Sequence, residues 1–220
     1  MRKKFILVVA SLFFLVTAGV VVGEFLVGVK TGDWIEYNVS VTGSPAEKHD
    51  VTWARMEVYA VQGSQIDLNI TVKFSDGTLE PQTATLNLET GQLGDDFIIP
   101  ANLNVGDVFF DKNMGNITIS GVEEKTYAGV TRSVMTAATS ETTYYWDQAT
   151  GVLVEASSEY PDFTLTTVMN ETDLWQPQIL GIDAPVFYAF VIVAGVVILA
   201  VAVLAVRQKR LDKRVEASAA

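Results

Sequence analysis

QIDLNITVKFS, residues 65–75, alternates apolar and polar side chains without a break. In an extended strand, Ile66, Leu68, Ile70, Val72 and Phe74 would face one side and the polar residues between them would face the other. This period of two is typical of a sheet that packs one face on a core and exposes the other to water. The stretch therefore predicts a β-sheet domain.

Similar alternation on both sides of this stretch predicts further strands. They lie at 34–41 and 51–61 before it, and at 83–88, 108–111, 116–120, 130–138, 142–146, 152–157 and 163–168 after it. Asp76-Gly77 is the clearest hairpin turn, because a type I′ turn needs positive φ at both central residues. Short turns favour antiparallel neighbours, so we expect a mainly β domain, either an antiparallel sandwich or a curved half-barrel.

Two uncharged apolar segments flank the β region. Residues 186–206 would form a helix about 31 Å long, which matches the hydrocarbon core of a bilayer. Residues 5–23 follow Arg2, Lys3 and Lys4, and predict a signal peptide or, if uncleaved, a signal anchor. The expected organisation is a signal or anchor at 1–23, an exposed β domain at 24–183, a transmembrane helix at 184–206 and a basic tail at 207–220.

The distribution of charge predicts the orientation in the membrane. The chain has a net charge of −11, and most of its acidic residues lie between the two apolar segments. Lys and Arg beside membrane spans stay in the cytoplasm, so the tail 207–220 is expected inside and the β domain outside the cytoplasm. The chain would cross the membrane once, or twice if residues 1–23 are not cleaved. An acidic domain repels phosphates, so no nucleic-acid partner is expected.

Few residues suit catalysis or metal binding. The chain has no cysteine and a single histidine, His49. The pairs Asp95-Asp96 and Glu123-Glu124 lack the spacing of a calcium loop and are interpreted as solvated acidic surface. We expect no enzyme, cofactor or metal site, although a carboxylate pair of the glycosidase type stays open, because sequence spacing does not give spatial separation.

Four N-x-S/T sequons fall in the part expected outside the cytoplasm. Their asparagines are Asn38, Asn69, Asn116 and Asn170. They are candidate glycosylation sites in a host with the required machinery. The alternative is composition, because the region is rich in Asn, Ser and Thr.

Two segments carry a family resemblance. VKTGDWIEY at 29–37 and YYWDQATGVLVE at 144–155 resemble segments of uncharacterised archaeal cell-surface proteins, which combine a signal, a β domain and a C-terminal span. The second segment is also similar to a hairpin in the half-barrels of lipoprotein-localisation factors. That resemblance implies a curved antiparallel sheet that holds acyl chains in an apolar concavity.

These observations lead to three functional hypotheses. The first is a membrane-anchored, extracytoplasmic binding or structural module of the cell envelope, held in lipid by 186–206 and contacting an unidentified envelope protein or glycan. The second is a carrier or sensor of an apolar, lipid-like ligand, for which the aromatic residues Trp53, Phe74, Phe97, Phe109 and Tyr145 could form the site. The third is a carboxylate-based hydrolase.

Overall fold

The computed structural model describes residues 25–44, 50–176, 178–180 and 182–218. The predicted signal or anchor at 1–23 and His49 lie outside the described residues. Within them, the chain is mainly β with a single long C-terminal helix, which confirms the predicted fold class.

In the described ranges, thirteen strands precede the helix. Their bounds are β1 Trp34–Gly43, β2 Val51–Gln62, β3 Gln65–Phe74, β4 Leu79–Asn87, β5 Val108–Asp111, β6 Gly115–Thr118, β7 Gly121–Tyr127, β8 Val130–Ala138, β9 Thr142–Asp147, β10 Leu153–Glu159, β11 Phe163–Thr172, β12 Gln178–Ile179 and β13 Ile182–Asp183. β7, β12 and β13 were not predicted, and several other bounds differ from the prediction by one to four residues. The largest shift at the start of a strand is that of β4, which begins four residues earlier and contains Pro81. Proline is tolerated there because β4 is an edge strand, where one side needs no hydrogen bonds.

Nine strands form one antiparallel sheet in the order β4-β3-β2-β1-β11-β10-β9-β8-β7. The chain steps outward from β1 to β4, and the return from β7 to β11 brings β11 back beside β1. That central pairing places Val39 opposite Thr167 and Val41 opposite Leu165. The sheet has two separate edges, β4 and β7, as an open half-barrel does.

Curvature of the sheet follows from the segment between β4 and β5. Gly94 in this segment lies against Leu86 of β4, and Asp96 accepts a hydrogen bond from Trp146 of β9. In a flat sheet, the six spacings between β4 and β9 would put these strands about 29 Å apart. Two residues of chain span only about 7 Å. The sheet must therefore curl around the segment 88–107.

The concave face is filled at one end and open at the other. At the closed end, β5 and β6 form a separate hairpin, and Phe109 of this hairpin packs edge-on against Trp146, with ring centroids 5.6 Å apart. Inward-facing residues there are fully buried, among them Ile35, Tyr37, Met56, Ile66, Leu68 and Leu86. Further along the same strands, Val39, Val41, Ile70, Val72 and Leu165 face inward but are only half-buried. Part of the apolar interior is thus left uncovered.

Both described ends of the domain lie at the closed end. Lys30 pairs with Asp33 just before β1, and Asp173 just after β11 accepts a hydrogen bond from the Trp34 N–H at 2.7 Å. β11 has ten residues, which extend about 33 Å. The open end of the concave face therefore lies about 33 Å from the point where the chain leaves the sheet toward the helix.

The C-terminal helix α1 runs from Ala184 to Ser218. Its first part, Ala184–Leu204, has a mean hydropathy of 3.0, and none of it is buried against the rest of the protein. An apolar helix that no other element covers is not the core helix of a globular domain. In the described part of the chain, it is the one helix long and apolar enough to cross a membrane.

Candidate functional site

A pocket of about 460 Å³ lies at the open end of the concave face. It is enclosed by three parts of the chain: the turn at 94–97, the turn between β5 and β6, and the inward side of β9, β10 and β11. Tyr144, Leu153, Ala156 and Leu165 form an apolar wall, and Thr142 and Ser158 add hydroxyl groups. We refer to this space as the sheet pocket.

The turn at 94–97 has an unusual backbone. Gly94, Asp95 and Asp96 have φ angles of 52°, 56° and 57°, so three successive residues are left-handed. Left-handed backbone costs an ordinary L-residue about 1–2 kcal/mol, although aspartate tolerates it better than most. The sheet holds the turn in place, because Trp146 Nε1 donates to the Asp96 carbonyl at 2.7 Å and the Leu153 N–H donates to the Phe97 carbonyl at 2.9 Å.

This turn buries the Asp96 carboxyl beside the sheet pocket. Asp96 has no exposed surface, and neither of its carboxylate oxygens has a hydrogen-bond partner among the described residues. Burial raises the pKa of Asp96 to about 7, and the nearby charges of Asp111 and Asp95 act in the same direction. A buried carboxyl without a partner is costly to ionise, so this group is a functional-site candidate.

Asp111 is the second buried carboxyl of the sheet pocket, only 1% exposed. Its Oδ1 accepts the backbone N–H groups of Asn113 and Met114 at 2.7 and 2.6 Å, which fixes the turn between β5 and β6. No Lys, Arg or His of the described residues lines the pocket. The pocket therefore holds two buried acids and no compensating positive side chain.

Aromatic residues pack in two pairs at the inner wall of the pocket. Tyr144 lies almost parallel to Trp146, with ring centroids 5.0 Å apart, and Phe97 contacts Tyr37 at 5.8 Å. The Tyr37 hydroxyl donates to the Leu153 carbonyl at 2.9 Å. Burial raises the pKa of Tyr144. These contacts pack the inner wall of the pocket against the core.

A second, more open groove of about 740 Å³ adjoins the sheet pocket. Both are lined by Met114, Thr142 and Tyr144, and the groove also contacts the loop 138–141 and Asn116. Asn116 is one of the predicted sequons. A glycan on this residue would therefore lie at the edge of the ligand-sized space.

The structure corrects the interpretation of Asp95-Asp96 as solvated surface. Asp95 is exposed, as is the pair Glu123-Glu124, but Asp96 is fully buried. The reason is the left-handed turn, which directs two successive side chains to different environments. No group of three or more His, Asp or Glu side chains is arranged to hold a metal ion within the described residues.

The other residues singled out from the sequence are dispersed. Asn38, Asn69, Asn116 and Asn170 are all exposed, and their glycosylation stays a prediction. Phe97 lines the sheet pocket and Phe109 packs in the core. Trp53 pairs with Asn38, and Tyr145 lies beneath Lys125 at 3.4 Å, so both belong to the convex face and cannot line the concavity.

Comparisons with known proteins give little further guidance. No protein-family model matches the chain, and a search of curated proteins found no match. The resemblance to archaeal cell-surface proteins therefore stays a prediction. Among solved structures, the chain is similar to the siderocalin Ex-FABP, described as functioning through dual ligand specificities, at 10% identity and a TM-score of 0.25 over 64% of this chain and 72% of that chain. A likeness at this level identifies neither a fold family nor a ligand, so the functional assignment depends on the sheet pocket.

Proposed function

We propose that the protein is a membrane-tethered, non-catalytic binding module that holds a small, largely apolar ligand in the sheet pocket, outside the cytoplasm. The observation that carries the proposal is the half-filled interior. A sheet that only encloses its own core would have no reason to leave an apolar concave surface uncovered at one end.

The uncovered surface has the character of a ligand site. Small-molecule sites are concave, mostly apolar spaces of about 300–1,000 Å³ with a few polar groups, and the sheet pocket falls in this range. Val41 and Leu165 are half-buried at its open end. Apolar area removed from water contributes about 25 cal/mol per Å², so a ligand covering such residues would gain affinity from them.

The tether supports the extracytoplasmic placement. The spanning part of α1 is followed by Arg207, Lys209 and Arg210, the type of flank that stays in the cytoplasm. The domain would then lie on the other side, with its closed end toward the membrane. The pocket would open on the side facing away from the bilayer.

A fluorescence assay with a matched pair of variants tests the proposal. The full chain in lipid nanodiscs would be titrated with N-phenyl-1-naphthylamine, a neutral apolar dye, against empty nanodiscs. Ser158 lines the pocket, whereas its neighbour Ser157 points to the convex face of β10. Ser158→Trp should abolish the saturable signal and Ser157→Trp should keep it. Equal signals from the two variants would exclude the pocket as the binding site.

One observation favours a second candidate, a carboxylate-based hydrolase. Asp96, with a pKa of about 7, and Asp111 lie beside the same pocket, and hydrolases of this type use a pair of carboxyl groups. Two features weaken it: Asp111 Oδ1 is occupied by two backbone N–H groups, and Asp96 has no accessible surface. Turnover of p-nitrophenyl glycosides or esters that disappears in Asp96→Asn would establish this activity in place of simple binding.

A further inference from the structure

The sheet pocket holds carboxyl groups without a compensating positive side chain. Asp96 and Asp111 are both buried, Asp95 is exposed at the same turn, and no Lys, Arg or His among the described residues lines the space. In a partly enclosed cleft, low-dielectric walls concentrate the field of such groups. A cation entering the pocket would therefore be attracted more strongly than at the open surface.

The unpartnered carboxylate oxygens of Asp96 also favour a cationic ligand. Buried carboxylates normally accept hydrogen bonds or pair with a cation, and Asp96 does neither within the described part of the chain. Moreover, the strained turn at 94–96 places this carboxyl beside the pocket rather than in water. A backbone conformation that costs free energy and buries an acid is typical of a site organised for a ligand.

The apolar walls of the sheet pocket favour an organic cation over a metal ion. A divalent metal would need several oxygen ligands converging on one point, and no group of three acidic side chains among the described residues is arranged in that way. Tyr144, Leu153 and Leu165 offer apolar surface, which a metal ion cannot use. An organic cation uses both parts, because its charged head pairs with the acids and its body packs on the walls.

We propose that the sheet pocket binds an organic ammonium ion on an apolar body, with the ammonium group paired to Asp96 and Asp111. This inference rests on the proposed binding function and specifies its ligand class. The three N–H donors of a primary ammonium would satisfy the carboxylate oxygens of Asp96 and the Asp111 oxygen that does not bond the turn. Because Asp96 has no exposed surface, binding requires a small displacement of the turns that cover it.

Calorimetry with three probes of similar size tests the charge preference. The full chain in nanodiscs would be titrated at pH 8 with 2-phenylethylammonium, 2-phenylethanol and 3-phenylpropionate, and separately with calcium chloride. We expect the ammonium to bind at least tenfold more tightly than the alcohol, and the carboxylate to bind least. Lowering the pH to 5 should weaken ammonium binding, because Asp96 then carries a proton.

Two isosteric variants locate the effect. Asp96→Asn should weaken ammonium binding at least tenfold and change alcohol binding less than threefold. Glu124→Gln removes one negative charge from the exposed strand β7, which does not line the pocket, and should change ammonium binding less than threefold. Thermal unfolding of each variant would show that it is folded.

The outcomes separate this inference from the proposed function. If the alcohol binds as tightly as the ammonium, or if Asp96→Asn has no effect, the ammonium assignment is wrong while the pocket stays a ligand site. Calcium binding that displaces the ammonium and is lost in Asp96→Asn would replace the organic cation by a metal ion. Failure of all three probes overturns the ammonium assignment, and failure of the naphthylamine dye as well overturns the binding function.

Discussion

Asp96→Asn should stabilise the protein at alkaline pH, although it alters a fully buried residue. The folded state disfavours ionised Asp96, whose pKa rises from 3.8 to about 7. Above pH 7 the folded protein must carry this buried charge, whereas the unfolded chain carries it in water. Asparagine has nearly the same shape and no charge, so the variant removes this cost.

The magnitude follows from the two pKa values. Between pH 3.8 and about 7 the folded state binds more protons at this site than the unfolded state, so stability contributed by Asp96 falls as pH rises. This difference in pKa lowers the free energy of unfolding by about 4 kcal/mol, and the full effect is reached above pH 7. The asparagine amide has its own burial cost, so we expect a net gain of about 2–4 kcal/mol at pH 8 and almost none below pH 4.

Thermal unfolding of the full chain from pH 4 to pH 8 would measure this difference. For a domain of this size, 3 kcal/mol raises Tm by about 6–12 °C. Asp95→Asn is the matched control and should shift Tm by less than about 2 °C, because Asp95 is exposed. A difference between wild type and Asp96→Asn that does not grow from pH 4 to pH 8 would refute the burial of an unpaired acid.

Three further predictions test the packing and the topology. In urea unfolding, Gly151→Ala should lower the free energy of unfolding by more than about 3 kcal/mol or prevent folding, because the new Cβ would lie 2.1 Å from the Ile99 carbonyl oxygen. Gly63 also has a positive φ, but no atom lies within 4 Å of the position of its Cβ, so Gly63→Ala should cost only about 1 kcal/mol. Arg132→Ala should cost about 3–5 kcal/mol by the same measurement, because it leaves Asp147, 1% exposed on its side chain, without its two hydrogen bonds from the guanidinium; a loss below 1 kcal/mol would contradict this. On sealed cells, an impermeant maleimide should label Ser40→Cys in the domain but not Ser218→Cys in the tail, and labelling of both or of the tail alone would contradict the proposed orientation; the chain has no native cysteine to interfere.

Strands that pack one face on the core and expose the other to water were predictable from the sequence, but β7 was not. The alternating stretch 65–75 corresponds to β3, which runs from Gln65 to Phe74. β7, Gly121–Tyr127, places charged residues on both faces of the strand and therefore shows no apolar alternation. It is an edge strand, and Lys125 and Tyr127 on one of its faces contact Glu155 of β10. Polar contacts between two strands that are separated by β8 and β9 leave no local pattern in the sequence.

The candidate site could be predicted only in part. The 19-residue gap between the predicted strands 83–88 and 108–111 was a signal, because loops this long in a compact domain are usually functional. Gly94-Asp95-Asp96 was a second signal, since these residue types tolerate positive φ. The burial of Asp96, however, depends on Trp146, fifty residues away. Such a contact follows only from the curvature of the whole sheet.

If α1 spans a membrane as proposed, Trp175 limits how far the domain can lie from the lipid. Its ring is buried against the convex face, with the Arg132 guanidinium 4.6 Å from the ring centre. The connection between Trp175 and α1 is the segment 176–183, which would reach only about 28 Å if it were fully extended. A molecule anchored on a more distant surface would stay out of range, and encounters would be confined to a thin layer of solution above the bilayer.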